Sequence, residues 1–113
     1  MAQYMLLLRN QPGGMGGLSP EDMQKAMEKY MEWRTRPFVL DGKGLVDKSG
    51  RVLVKKNGAV NVTEGPFSES REVMGGYYTI EAADWDEALK LAQTNPHIDF
   101  GSIEIREVIY RPS

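Results

Sequence analysis

The sequence predicts an α+β domain in which an antiparallel sheet carries both of its helices on one face. Three observations lead there: two segments with helix-start chemistry and an apolar stripe, an Asn57-Gly58 dipeptide between two valine-rich runs, and an element order of strand, helix, strands, helix, strand. That order is the ferredoxin-like β-α-β-β-α-β unit.

Gln3 to Arg9 is a short apolar block that ends sharply at Asn10, which reads as a buried strand. Gln11 to Gly17 contains four glycines and a proline and is a connection. It lies between strand and helix as a phosphate cradle does, but lacks the Lys-Ser/Thr of a P-loop and the spacing of a dinucleotide fingerprint. Ser19-Pro20-Glu21-Asp22 then starts a helix: the serine hydroxyl can cap, proline suits the first helical position, and the acids face the positive end of the dipole. Met23, Ala26, Met27, Tyr30 and Met31 form its predicted apolar stripe, and the helix runs to about Arg36, before Pro37. That methionine-rich stripe, with Trp33, is either core or the lining of a pliable cavity. Val52 to Val54 and Val60 to Val62 flank Asn57-Gly58 as sheet strands around a two-residue turn, and Gly76 to Glu81 is the next strand. Asp84 to Glu87 repeats the helix-start pattern with Trp85, Ala88, Leu89 and Ala92 as its stripe, and Asn95-Pro96 ends that helix. In the last strand Ile103, Ile105 and Ile109 alternate with Glu104, Arg106, Val108 and Tyr110. Tyr77 and Tyr78 point to opposite faces of their strand, one toward the helices and one away.

Composition narrows the function classes. A chain of 113 residues suits one domain, 1–113, burying roughly two thirds of the surface its unfolded form exposes. With 14 basic and 16 acidic side chains spread along it, the net charge of −2 provides no stripe for nucleic-acid phosphates. A transmembrane helix needs about 20 apolar residues, and Tyr4 to Leu8 falls far short, so no membrane association is expected. The start carries no secretory pattern, and zero cysteines remove disulfides, thiolate nucleophiles and thiolate metal sites together; a cytoplasmic location fits. With one histidine, a metal site would need mostly carboxylate ligands, and no metal or other cofactor is expected.

The most informative stretch runs from Val62 to Ile80, and within it Glu64-Gly65-Pro66-Phe67-Ser68-Glu69-Ser70-Arg71-Glu72 precedes Gly75-Gly76-Tyr77. It resembles the motif of the YCII-related, or DGPF-domain, family: Glu64 stands for the aspartate, Ser68 for alanine, Ser70 for threonine and Arg71 for lysine. The similarity continues through Asp84 to Ala92, Asn95-Pro96-His97 and Ile103 to Arg106. The resemblance implies a YciI-like dimeric α/β barrel, a homodimer with two sheets face to face and Glu104 and Arg106 between them if Ile103 and Ile105 face the helices. It also implies a link to transcription sigma factors, beside or fused to which such proteins occur. The characterised relatives place a histidine near Asp22 and Met23 and an aspartate at Asn95, so their proton-transfer pair does not carry over.

The charged loop has two readings. Glu64, Glu69, Glu72 and Arg71 are either a solvated turn stiffened by Pro66, or carboxylates and a guanidinium that perturb one another around a small ligand. His97, the one histidine, is either a general acid or base or a residue finishing a helix end. Arg106 either pairs internally with Glu104 or Glu69 or clamps an anion. Two functions follow. One is a small dimeric ligand-binding or regulatory accessory protein, with Arg106, Glu69, Arg71, Glu104 and Tyr78 around a small anionic ligand. The other is an enzyme of isomerase or lyase type, moving protons through His97, Glu69 and Glu64 on a small organic acid or phenol-like compound.

Overall fold

The computed structural model describes residues 1–11, 17–46, 50–65 and 73–109. Along them run β1 (Ala2–Asn10), α1 (Pro20–Arg34), β2 (Val39–Gly44), β3 (Gly50–Lys56), β4 (Ala59–Gly65), β5 (Val73–Ala82), α2 (Trp85–Ala92), a 3-10 turn (Pro96–Asp99) and β6 (Gly101–Glu107). Local chemistry sets the helix starts. The Ser19 hydroxyl accepts from the Asp22 amide at 3.1 Å, and the Asp84 carboxylate accepts from the Glu87 amide at 2.9 Å. Glu87 turns back to accept from the Ala83 amide at 2.9 Å. Among the described residues no helix is long and apolar enough to cross a membrane.

The main sheet has the order β2-β5-β1-β6, every neighbour antiparallel. Its composition differs from the sequence expectation. The valine-rich hairpin does not enter it: among the described residues β3 and β4 pair only with each other, around Asn57 and Gly58 at φ 50° and 80°. The place beside β5 belongs to β2, whose Val39-Leu40-Asp41-Gly42-Lys43-Gly44 has two glycines and little β-branching, and so gives a weak strand signal. The glycine is required: a Cβ on Gly42 would collide with the Tyr78 ring, which lies against the β2 backbone.

Both helices cover one face. Tyr4, Leu6, Leu8, Tyr78, Ile80 and Ala82 rise from the sheet to meet Trp33 of α1 and Ala88 and Ala92 of α2, with Ile103 and Ile105 packed at the side. The helix stripes are narrower than predicted. On α1 the buried line is Ala26 and Trp33 with Tyr30 half-buried between them, while Met27 and Met31 are exposed. On α2 the small residues Ala88 and Ala92 are buried, whereas Trp85 and Leu89 are exposed. Bulk explains both shifts. Trp33, edge-on to Phe38 at 5.4 Å and to Tyr78 at 4.9 Å, fills the space against the sheet and turns α1 so that the methionines leave it. The Trp85 ring instead covers the sheet's end, T-shaped over Tyr4 at 5.0 Å.

Candidate functional site

The face of the sheet away from the helices carries the clearest chemistry. Strand alternation puts Met5, Leu7 and Arg9 of β1 there, and the register places Arg106 opposite Met5, Glu104 opposite Leu7 and Ser102 opposite Arg9. Thr79 and Tyr77 of β5 lie on the other side of the same two β1 residues. Along this face the Glu104 carboxylate accepts from Arg9 Nη2 at 2.9 Å and from Arg106 Nη1 at 3.4 Å. The Arg9 hydrogen bond, reinforced by both positive charges, holds Glu104 below the usual carboxylate range. Nearer the β2 edge the Tyr77 hydroxyl donates to Asp41 at 3.2 Å, and Arg34 of α1 reaches the same carboxylate at 3.4 Å. The Gly42 amide is the first cause of the lowered Asp41 pKa; burial, then Asp41 itself, raises Tyr77.

Arg106 lies on a face, with 70% of its side chain open. Two cavities among the described residues are lined by other groups. One of about 280 Å³ is lined by Leu18, Asp99 and Phe100, and another of about 570 Å³ by Met1, Gln3, Glu107 and Ile109.

His97 is a separate matter. It is 3% exposed, and both ring nitrogens are engaged. Nε2 lies 2.9 Å from the Arg9 carbonyl, which can only accept, so Nε2 carries the hydrogen; Nδ1 is hydrogen-bonded with the Tyr30 hydroxyl at 2.8 Å. Asn95, fully buried, accepts from the His97 amide at 2.8 Å through Oδ1, while its Nδ2 has no hydrogen-bond partner among the described residues. Gly101 admits this approach, since a Cβ there would strike the Arg9 carbonyl and crowd His97 Nε2. The last carbonyls of α2 are met by its own chain, with the Gln93 amide and the Thr94 hydroxyl donating to Leu89 and Leu91. The histidine thus ties the 3-10 turn to β1 and α1.

Burial pushes the Tyr30 phenol up to about 12, with Tyr78 and Asp99 adding to it. A phenol raised above its ordinary 10.0 contributes stability that is complete below pH 10 and lost as pH rises through about 12. An ultraviolet titration of tyrosinate is expected to show late-ionising phenols, the last of which Tyr30→Phe removes. Persistence of that last phase in Tyr30→Phe would show that the group is another tyrosine.

Of the residues predicted for a site, Glu104 and Arg106 come together as an ion pair. Tyr78 is in the core, its hydroxyl donating to the Tyr30 carbonyl at 3.2 Å; its neighbour Tyr77 takes the open face. Glu69, Arg71 and Glu72 lie outside the described residues; Glu64 is next to last in β4, opposite Arg51, and its side chain is likewise outside them. Sequence reasoning missed Arg9, Tyr30 and Asp41. Counting alternate positions through Tyr4, Leu6 and Leu8 would have put Arg9 on the open face. No local signal links Tyr30 or Asp41 to partners 67 and 36 residues away.

Among the described residues no group of three or more histidine or acidic side chains is arranged to hold a metal ion. Among solved structures, 5-chloro-2-hydroxyhydroquinone dehydrochlorinase (TftG) from Burkholderia phenoliruptrix AC1100, in complex with 2,5-dihydroxybenzoquinone, aligns with a TM-score of 0.46 at 13% identity over 92% of this chain and 90% of that one. An uncharacterised protein of Rhizobium meliloti (strain 1021) is 40% identical over 118 aligned positions, spanning 96% of this chain and 94% of its own. The family model for the YCII-related domain matches residues 2–110, nearly the whole described fold, and the chain belongs to that family.

Proposed function

We propose that the chain is a homodimeric ligand-binding module that closes two sheet faces around a small anionic ligand held by Arg106. The observation that carries this reading is the uncovered face, where Arg9, Glu104 and Arg106 lie in line among Met5, Leu7 and Tyr77. Two guanidiniums against one carboxylate leave a positive surplus, and Glu104 orients both. Covering such a face with a copy of itself puts two sheets about 10 Å apart, removes water from the ion pairs and strengthens them. Met5 and Leu7 give an apolar floor, and the Arg106 fork matches a carboxylate. The ligand class is a small carboxylic acid carrying an apolar or aromatic body.

Binding is favoured over proton transfer because His97 is buried and engaged at both nitrogens, tied to the helix side of the sheet rather than open to this face. A cytoplasmic regulatory accessory, working beside a sigma factor and reporting a metabolite, is the setting that suits such a module. Titration calorimetry with salicylate as the probe tests the reading. Arg106→Leu is expected to weaken binding at least tenfold, the loss of one charge-assisted hydrogen bond, with Arg106→Lys in between. Equal affinities for wild type and Arg106→Leu would refute the assignment.

A further inference from the structure

Among the described residues nothing covers the β3–β4 ribbon. Directly paired residues share a face, so Leu53 with Val62 and Lys55 with Val60 form one apolar side edged by lysine. Leu53, Val60 and Val62 are 67%, 61% and 62% exposed. A lone two-stranded ribbon is marginal in water, and an apolar side that size asks for a partner. The radius of gyration, 16.2 Å, exceeds the roughly 13 Å of a compact chain of this length, as a projecting arm requires.

A complementary surface exists on the same molecule at the other end of the sheet. α2 presents Trp85 and Leu89 one turn apart, each 43% exposed. Beside them in the helix start Asp84, Asp86 and Glu87 give three acidic residues before the first base, Lys90; the Leu53 side of the arm carries the positions of Arg51 and Lys55. The chain leaves for the arm after Gly44 and returns at Val73, which pairs with Asn10 at the far end of β1, whereas α2 follows Ala82, which pairs with Ala2 at its start. The length of β1, roughly 27 Å, separates the root of the arm from the patch. Two-fold pairing of antiparallel copies brings each arm to the other's patch, and both contacts form at once.

We propose that the β3–β4 arm of each protomer packs its Leu53, Val60 and Val62 side onto the Trp85 and Leu89 side of α2 in a second copy, an exchange of arms that locks the paired sheets. This rests on the homodimer proposed above. Apolar contact supplies the attraction, and Lys55 against the acidic helix start fixes the register.

The chain has no cysteine, so an introduced one is unique. Leu53→Cys and Leu89→Cys proteins, each checked for wild-type circular dichroism, are mixed, allowed to exchange subunits and treated with a short bis-maleimide. A 53-to-89 cross-link then necessarily joins two chains. The expected result is cross-linked dimer in about half of the chains of the mixture, the statistical share of mixed dimers, and little in either protein alone. Light scattering on the wild type runs beside it. A dimeric mass without the mixed cross-link overturns the arm exchange and leaves the paired sheets standing; a monomeric mass overturns both. Cross-linking of Leu53→Cys alone would place arm against arm and overturn the proposal. So would sedimentation of wild type with phosphatidylserine vesicles that Lys55→Glu abolishes, which would give the arm to a lipid surface.

Discussion

Replacing Trp33 with alanine is expected to destabilise the domain by about 3–5 kcal/mol, which lowers Tm by roughly 10–25 °C for a chain of this length. Trp33 is 1% exposed and joins three parts of the fold. Its ring meets Phe38 ahead of β2 and Tyr78 on β5, and its Nε1 donates to the Thr94 hydroxyl at 2.9 Å, just past α2. Truncation would leave a cavity bounded by a stiff sheet and cut one link between the helices. Trp33→Phe should recover much of the packing without the Thr94 hydrogen bond. Met31→Ala, on the same helix but in solvent, should stay within about 0.5 kcal/mol. Differential scanning calorimetry of the three variants checks this, and similar losses for Trp33→Ala and Met31→Ala would contradict the assigned core.

The second large effect concerns His97. His97→Ala is expected to cost about 1–3 kcal/mol, because it removes a buried ring and leaves the half-buried Arg9 carbonyl and Tyr30 hydroxyl without it as partner. Salicylate affinity should remain unchanged, since the ring lies beneath the sheet's helix side and Arg106 on the other face. Chemical denaturation and calorimetry on the same variant separate these readouts. A variant of wild-type stability that has lost binding would place His97 at the ligand and favour proton transfer.

What the sequence revealed depended on how local each cause was. The caps at Ser19 and Asp84, the stop at Asn95-Pro96 and the Asn57-Gly58 turn are set within a few residues, and the structure has each of them. Strand β2 was hidden because Gly42 is selected by the distant Tyr78 ring, not by strand propensity. The helix stripes failed for a similar reason: which of two adjacent apolar rows is buried depends on the shape of the opposing sheet, and Trp33 decides it. Part of the candidate site was legible from alternation, which set Glu104 and Arg106 against Ile103 and Ile105. Arg9 was obscured because β1 reads as a continuous apolar run, and only the cross-strand register shows it reaching Glu104.

The proposed function and the proposed arm exchange both depend on a second copy covering the open sheet face. Light scattering of the wild-type protein and of Leu7→Lys, at micromolar concentration, tests that dependence most directly. Leu7 lies at the centre of the face, between Tyr77 and Glu104 in the register. The account requires twice the 12.7 kDa chain mass for wild type and a single-chain mass for a folded Leu7→Lys, because a buried unpaired ammonium cannot be accommodated between the sheets. A single-chain mass for wild type, or a dimer that Leu7→Lys leaves intact, would contradict it.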